Sequence, residues 1–422
     1  MRLPIYYGWV IVAVAFVTMA IGVTARTAFS LFLPPIVDEF GWDRGLTAGA
    51  FSFGFFVNAL ASPLIGRLMD RRGPRFVIEC GVAMLAAGLL LAAFVNRPWQ
   101  MYLTLGLLLC CGAGCLTYTT QSQYLPHWFV RRRALAISIA FSGAGVGAIV
   151  LMPWLQAVVE GEGWRAACTA LGVMVLVVLG PINLLLRRRP EDIGLVADGA
   201  PAAGSAPARR TRIVDPRWAA TEWTIGRAVR TTRFWLLGFG FFSAMIAWYA
   251  VQVHQTKYLI EVGFDPLTAA WALGAVAAIA IPGQIGLGAL SDRFGREWIW
   301  TIGCIGFAVC YACLIGLEHH PDPLLLYLMV AFQGALGYGL TSVMGAIVVE
   351  MFEGPQYATI FGVLSIPLMA GGAVGPWAAG VTHDLTGSYM PAFATAIVLS
   401  GLSIAAIWAA GPGRVRAVPG RS

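Results

Sequence analysis

Apolar residues in this chain are gathered into long runs with no polar face, and short arginine-bearing stretches separate one run from the next. A helix that crosses the hydrocarbon core of a bilayer needs ~20 such residues. Runs of about that length fall at roughly 7 to 33, 46 to 66, 76 to 95, 101 to 123, 134 to 158, 164 to 186, 233 to 256, 268 to 290, 298 to 317, 324 to 349, 357 to 381 and 389 to 410. The pattern predicts twelve membrane-spanning helices. The first run is too long for a signal-peptide core and is followed by no convincing small-residue cleavage site, so it is read as a retained span. Both termini then lie on one side.

A single polar stretch is long. It opens with RRRPED at Arg187, continues through GAPAAGSAPARR and ends near Arg230. It divides the chain into a six-helix bundle over 1–186, a linker over 187–232, and a second six-helix bundle with a short tail over 233–422. The last part of the linker, with Trp218, Trp223, Ile225 and Val229 beside Arg227 and Arg230, has two readings. It is a basic amphipathic helix lying on the lipid surface, or a plain connection.

Composition agrees with lipid as the main solvent: 58% of residues are hydrophobic and 12% are charged. The net charge of +7 raises nucleic acid as a partner, but the positions of the basic residues account for it otherwise. Twenty-three of the 28 fall on one side of the predicted topology: Arg2, Arg67, Arg71, Arg72, Arg75, Arg131 to Arg133, ten between Arg187 and Arg233, Arg293, Arg296, Arg414, Arg416 and Arg421. The other side keeps Arg44, Arg97, Arg165 and Lys257. Positive charge stays on the cytoplasmic face during insertion. The expected location is the cytoplasmic (inner) membrane with both termini in the cytoplasm, with lipid and not nucleic acid as the macroscopic partner. All eight cysteines fall within spans, so no disulfide framework is implied, and Cys310/Cys313 has redox spacing in a packing context.

The chain repeats itself. Gly66, Asp70, Arg71 and Gly73 are matched by Gly288, Asp292, Arg293 and Gly295 at a constant offset of 222, and Pro153 after Gly143, Gly145 and Gly147 is echoed by Pro376 after Gly371, Gly372 and Gly375. Repeats of equal orientation imply two bundles related by an axis along the membrane normal, with a binding site between them near the midplane. The fold class expected is an all-α polytopic membrane protein of two pseudo-symmetric six-helix bundles.

GRLMDRRGPR after the second span and GALSDRFGR after the eighth resemble the loop motif of the major facilitator superfamily, in duplicate and at the expected places. The resemblance covers nearly the whole chain. It implies that Asp70 and Asp292 each meet the N-terminal end of a helix in the opposite half, braced by nearby arginines, so that Gly66, Asp70, Arg71, Gly73, Gly288, Asp292, Arg293 and Gly295 form conformational latches. The plainer reading makes these charges topology signals. Within the superfamily, WFVRRRALAISIAFSG at Trp128 to Gly143 and the pair Gly8–Trp9 are similar to the monocarboxylate transporters, and Arg26 falls close to the first-helix lysine with which that family meets its carboxylate. The chain departs from that pattern where the family's eighth helix carries an aspartate and an arginine before a proline. Ala277 and Ile281 stand there before Pro282, and the eleventh span lacks the lysine of the oxalate/formate antiporter.

An arginine at the centre of a span costs at least ~2.5–3.5 kcal/mol and is kept by a cavity, a partner or a ligand. Arg26 is that residue. Its planar fork suits a carboxylate and it stays charged throughout any cycle. With an outer helix end expected at Pro34, ~12 Å away at helical rise, snorkelling to the interface is the competing reading. The resemblance places spans one, four, seven and ten around the cavity, which makes Tyr118, Gln121, Tyr249, Gln252, Gln333 and Tyr338 candidate substrate contacts; helix-packing hydrogen bonds are the alternative for each. Acids are scarce at mid-membrane depth, so His254 and His383 are the candidate proton-coupling groups if a proton is coupled. The glycine runs at 143–147 and 371–375 suit close helix approach better than phosphate binding.

The only lysine follows Thr256, so there is no Walker A site for a pump, and five scattered histidines make neither a metal centre nor a catalytic set. No cofactor and no enzyme activity are expected. The reading is a monomeric secondary transporter of a small organic anion, a carboxylate by preference. The alternatives are a transporter of a neutral or larger heterocyclic metabolite and a non-transporting ligand sensor of the same fold.

Overall fold

The computed structural model describes residues 6–42, 44–197 and 212–417. Arg2, Arg421 and the linker run Gly199 to Arg210 lie outside the described residues. Long helices follow the predicted runs in order: α1 (Tyr7–Phe40), α2 (Arg44–Arg72), α3 (Pro74–Ala92), α4 (Pro98–His127), α5 (Arg133–Glu162), α6 (Trp164–Asn183), α7 (Thr232–Glu261), α8 (Pro266–Phe294), α9 (Arg296–His319), α10 (Pro323–Met351), α11 (Tyr357–Thr386) and α12 (Met390–Ala410). Eleven helical spans among the described residues are long and apolar enough to cross a membrane, and α2, with 29 residues, occupies the second predicted span. The architecture is all-α and polytopic. Phe56, Leu60 and Leu64 project from one face of α2 at four-residue spacing and are well exposed, as side chains solvated by lipid must be.

The helix ends are set locally. Thr231 and Asp265 accept hydrogen bonds from the first-turn N–H groups of Phe234 and Thr268 at the starts of α7 and α8, and Asp322 does so for Leu324 ahead of Pro323 in α10. The first helix differs from its sequence reading. It continues past Pro34 and Pro35 to Phe40, with an interruption at Ala28, because proline removes only one N–H and bends a helix that neighbours support.

Contacts divide the chain into two compact units. One comprises Met1–Val130, Ile139–Ala208 and Gln356–Val363; the other comprises Arg131–Ser138, Arg209–Pro355 and Leu364–Ser422. The opening turns of α5 and α11 are thereby exchanged relative to a simple cut at the linker.

Within the first unit α5 lies directly on α1. A methyl group at Gly143 would strike the main-chain carbonyl of Phe16, and one at Gly147 the carbonyl of Ala20. Within the second unit Gly371 meets the carbonyl of Phe242 and Gly375 that of Ile246 in the same four-residue rhythm, so α11 lies on α7 by the same device. Lipid offers no hydrophobic drive between helices, so such backbone-to-backbone contact supplies the attraction. The repeat extends to wide turns: π-helical segments interrupt α4 at Tyr102–Leu108 and α10 at Gln333–Gly337.

The linker does not form one amphipathic helix. It makes two four-residue helices, Pro216–Ala219 and Ile225–Ala228, and turns its tryptophans inward: Trp218 donates to the Met351 carbonyl at 2.7 Å and Trp223 packs edge-on to Phe352 at 5.0 Å. The apolar face finds protein, so it has no need of lipid. Arg212–Ile213 pairs antiparallel with Arg416–Ala417.

Leucine at Gly147 or Gly371 should destabilise the protein by about 1–3 kcal/mol through overpacking. Leucine at Gly161, whose added carbon would meet nothing within 4 Å, should leave the melting temperature of the purified protein unchanged.

Candidate functional site

The duplicated motif builds the same joint twice. In the first unit the Asp70 carboxylate accepts hydrogen bonds from the N–H groups of Ala358 at 3.0 Å and Thr359 at 2.7 Å, the second and third residues of α11, and from the Thr359 hydroxyl at 2.5 Å. In the second unit Asp292 accepts from the N–H groups of Ala134 and Leu135, each at 3.2 Å, which hold the same two positions in α5. These donors have no partner inside their own helix and mark its positive end, so a carboxylate satisfies both needs. The glycines permit the approach: a methyl at Gly66 would strike the Ala358 carbonyl, and one at Gly288 would strike Ser138 and Ala134. Gly73 and Gly295 take φ of 80° and 112° to turn the chain into the next helix.

The bracing arginines are not those of the motif. Arg71 and Arg293 are exposed, since a residue next to the aspartate on a helix faces elsewhere. Arg296, four residues after Asp292, meets it at 2.6 Å, bonds Ser291, and grips Glu350 through two nitrogens at 3.0 and 2.9 Å. Arg133 stands 3.6 Å from the same Glu350 oxygen. Arg296 and Glu350 are 1% and 2% exposed, so this is a buried network. The i, i+4 spacing of Asp292 and Arg296 is the sequence signal that marks it. The first copy has Pro74 at the register of Arg296. There the exposed Arg188 donates to the main-chain carbonyl of Asp70. Burial raises the Asp70 pKa above the ordinary carboxylate range, while the hydrogen bonds from Thr359 and Ala358 and the charge of Arg188 pull it down again.

Arg26 is half-buried inside α1, its guanidinium over the Phe55 ring at 5.2 Å. Among the described residues it has no hydrogen-bond acceptor and no ion-pair partner. Because α1 runs to Phe40, the helix end is ~21 Å away at helical rise.

Of the uncharged candidates, the structure brings Gln252 and Tyr338 together, with Trp248 as a third member of the group. The Trp248 indole N–H donates to Gln252 Oε1 at 3.0 Å, Gln252 Nε2 donates to the Tyr338 hydroxyl at 3.5 Å, and the Trp248 and Tyr338 rings lie 4.4 Å apart. The chain of donors leaves the Tyr338 hydroxyl proton with no acceptor among the described residues. Half-buried Tyr249, one residue from Trp248, rests against Gly372 of α11. Trp248 escaped the sequence reading because an indole in an apolar run gives no polar signal. Tyr118 is half-buried, edge-on to Phe141 at 5.0 Å. Gln121 and Gln333 are interior groups instead. Gln121 is 0% exposed, bonds the Leu116 carbonyl and accepts from the Tyr124 hydroxyl; Gln333 is 1% exposed beside Cys310. Tyr118 and Gln121 lie in one helical turn, Tyr118–Gln121, yet Gln121 is taken up by its bonds to Leu116 and Tyr124 while Tyr118 stays half-buried.

His254 and His383 converge on a residue the sequence did not suggest. Tyr389 lies 3.3 Å through its hydroxyl from His254 Nδ1, and His383 stacks on its ring at 4.3 Å.

The profile of the Major Facilitator Superfamily matches residues 14–319 and 237–421. The chain belongs to the major facilitator superfamily and is a multi-pass membrane transporter, not an enzyme. It is related to monocarboxylate transporters. It is 27% identical over 413 residues to monocarboxylate transporter 13 of Rattus norvegicus, covering 94% of this chain and 88% of that protein. It is 28% identical over 416 residues to monocarboxylate transporter 11 of Homo sapiens, covering 94% and 81%. Among solved structures it resembles the E. coli fucose:proton symporter, with a TM-score of 0.69, 16% identity, and 95% and 98% of the two chains covered. A proton:xylose symporter gives a TM-score of 0.74 at 12% identity, covering 95% and 94%. These likenesses show the fold.

Replacing Glu350 by alanine leaves two buried arginines, Arg296 and Arg133, without the carboxylate they share and should cost about 3–5 kcal/mol of stability. Arg188→Ala should cost under about 1 kcal/mol. Thermal melting of the two variants in one detergent checks the contrast.

Proposed function

We propose that this protein is a secondary transporter that moves a small organic anion, by preference a carboxylate, across the cytoplasmic membrane by alternating access, with both termini in the cytoplasm. The observation that carries the reading is Arg26: a permanent charge in the middle of an apolar helix, half-buried, over an aromatic face and without a hydrogen-bond acceptor among the described residues. A carboxylate substrate is the missing acceptor, and guanidinium geometry binds it through two parallel hydrogen bonds. The relationship to monocarboxylate transporters supports the same substrate class. Tyr118, Tyr249, Gln252 and Tyr338 are the proposed uncharged contacts, and Asp70 and Asp292 the groups whose hold on α11 and α5 is released in each cycle. The arginine distribution supports the orientation.

One observation favours a second reading. The hydrogen-bonded aromatic group of Trp248, Gln252 and Tyr338, together with Ala277 and Ile281 before Pro282, suits a neutral or larger heterocyclic substrate.

Ligand-induced thermal shifts of the purified protein separate the two. A panel of mono-, di- and aromatic carboxylates and neutral metabolites is run on wild type and on Arg26→Ala. Stabilisation by a carboxylate in wild type and its loss in the variant is the expected result. Stabilisation by neutral compounds alone, or carboxylate shifts equal in both proteins, would overturn the anion reading.

A further inference from the structure

The seam between α7 and α11 ends in a histidine. Along it Phe242 and Ile246 meet Gly371 and Gly375, Tyr249 meets Gly372, and the His254 ring comes next, its Cε1 3.6 Å from where a methyl on Gly380 would stand. His254 Nε2 lies 2.9 Å from the main-chain carbonyl of Pro376. A carbonyl only accepts, so Nε2 carries the hydrogen. Nδ1 of the neutral ring is therefore an acceptor, and the Tyr389 hydroxyl 3.3 Å away donates to it. One imidazole thus ties α7 to α11 and to the residue before α12, at the end of α7 opposite Arg233.

Protonation rewrites that tie. A proton arriving at Nδ1 makes both ring nitrogens donors, so Tyr389 must turn its oxygen to the ring and release its own O–H toward another acceptor. Burial, with Glu261 and Asp384 nearby, raises the Tyr389 pKa above that of an ordinary phenol, so the hydroxyl keeps its proton throughout. Acids at the surface adjoin the site. His383, stacked on the same tyrosine, lies 3.8 Å from Glu261 and 3.8 Å from Asp384. Glu261 also faces Lys257 at 3.6 Å. From α9, Glu318 accepts from Ser388 at 3.3 Å, and Tyr258 of α7 is held by the Leu314 carbonyl.

Resting on the transport reading above, we propose that His254, held between the Pro376 carbonyl and the Tyr389 hydroxyl, is the binding site for a co-transported proton, which reaches it past His383 and Glu261. The seam joins this proton to the substrate side, because Tyr249, about one and a half turns away on α7, rests against Gly372 of the same α11 that His254 holds.

Two measurements on the full chain test the assignment. In the first, ¹⁵N-histidine NMR in lipid nanodiscs identifies His254 by the signal lost in His254→Gln. The expected result is a neutral ring in the Nε2–H form that takes a proton at Nδ1 when the medium is acidified. The Nδ1 signal should move in Tyr389→Phe, which removes the hydroxyl that donates to it. A ring that takes no proton at any pH at which the protein stays folded, or an Nδ1 signal indifferent to Tyr389→Phe, overturns the proton site. The second uses proteoliposomes with labelled pyruvate and phenylpyruvate, corrected against protein-free vesicles. Under a gradient of about one pH unit, one coupled proton sustains about tenfold accumulation. Wild type should reach it, and His254→Gln and Tyr389→Phe should fall toward no accumulation relative to their own counterflow. Full accumulation in both variants overturns the inference. Absence of saturable counterflow in wild type brings down the carboxylate reading instead, and the NMR titration then decides the proton site by itself.

Discussion

A helix that begins inside a protein leaves four N–H groups pointing at nothing, and in a membrane protein water is not at hand to take them. This chain meets that demand at α5 and α11 with an aspartate brought from elsewhere in the sequence, and the surrounding features follow from the delivery. Glycine must stand one turn before the aspartate, or the helix carrying it could not come close enough. A second glycine must follow to reverse the chain. The eight-residue motif is therefore a set of steric and electrostatic conditions for one contact, met twice.

The two joints are chemically unequal. Asp292 belongs to a buried set of opposite charges in which every member is held by another, and a guanidinium stays charged at any physiological pH. Asp70 relies on neutral donors and a solvent-exposed arginine that touches only its main chain. Desolvated ion networks are costly to assemble and costlier to break by parts, whereas a carboxylate on three neutral donors lets go with less penalty. Internal duplication has kept the geometry and let the energetics diverge.

The fold was legible because lipid imposes its demand on every residue of a span, and runs of some twenty apolar side chains have no other explanation here. The aspartates and glycines of the motif were legible through their constant offset. What stayed hidden was anything that depends on rotation about a helix axis. Arg71 and Arg293 adjoin the aspartates in sequence and face away, while Arg296 does the bracing from the next helix. Gln121 and Tyr118 were read as one face and occupy two environments. Trp248 and Tyr389 are aromatic residues in apolar surroundings, and only their partners, Gln252 from the same helix and His254 from another, reveal a polar use.

The π-helical turns in α4 and α10 carry a mechanical consequence. A wide turn takes one residue more than an ordinary one, so everything after it is rotated by about 100° relative to an unbroken helix. In α10 the turn separates Gln333, locked in the interior, from Tyr338, half open at its other end. Such a turn can pass an extra residue up or down the helix by exchanging one carbonyl partner for the next, with no net loss of hydrogen bonds. Torsion in one half of α10 is therefore absorbed at the wide turn and need not reach the other half: the helix behaves as two shafts on a swivel.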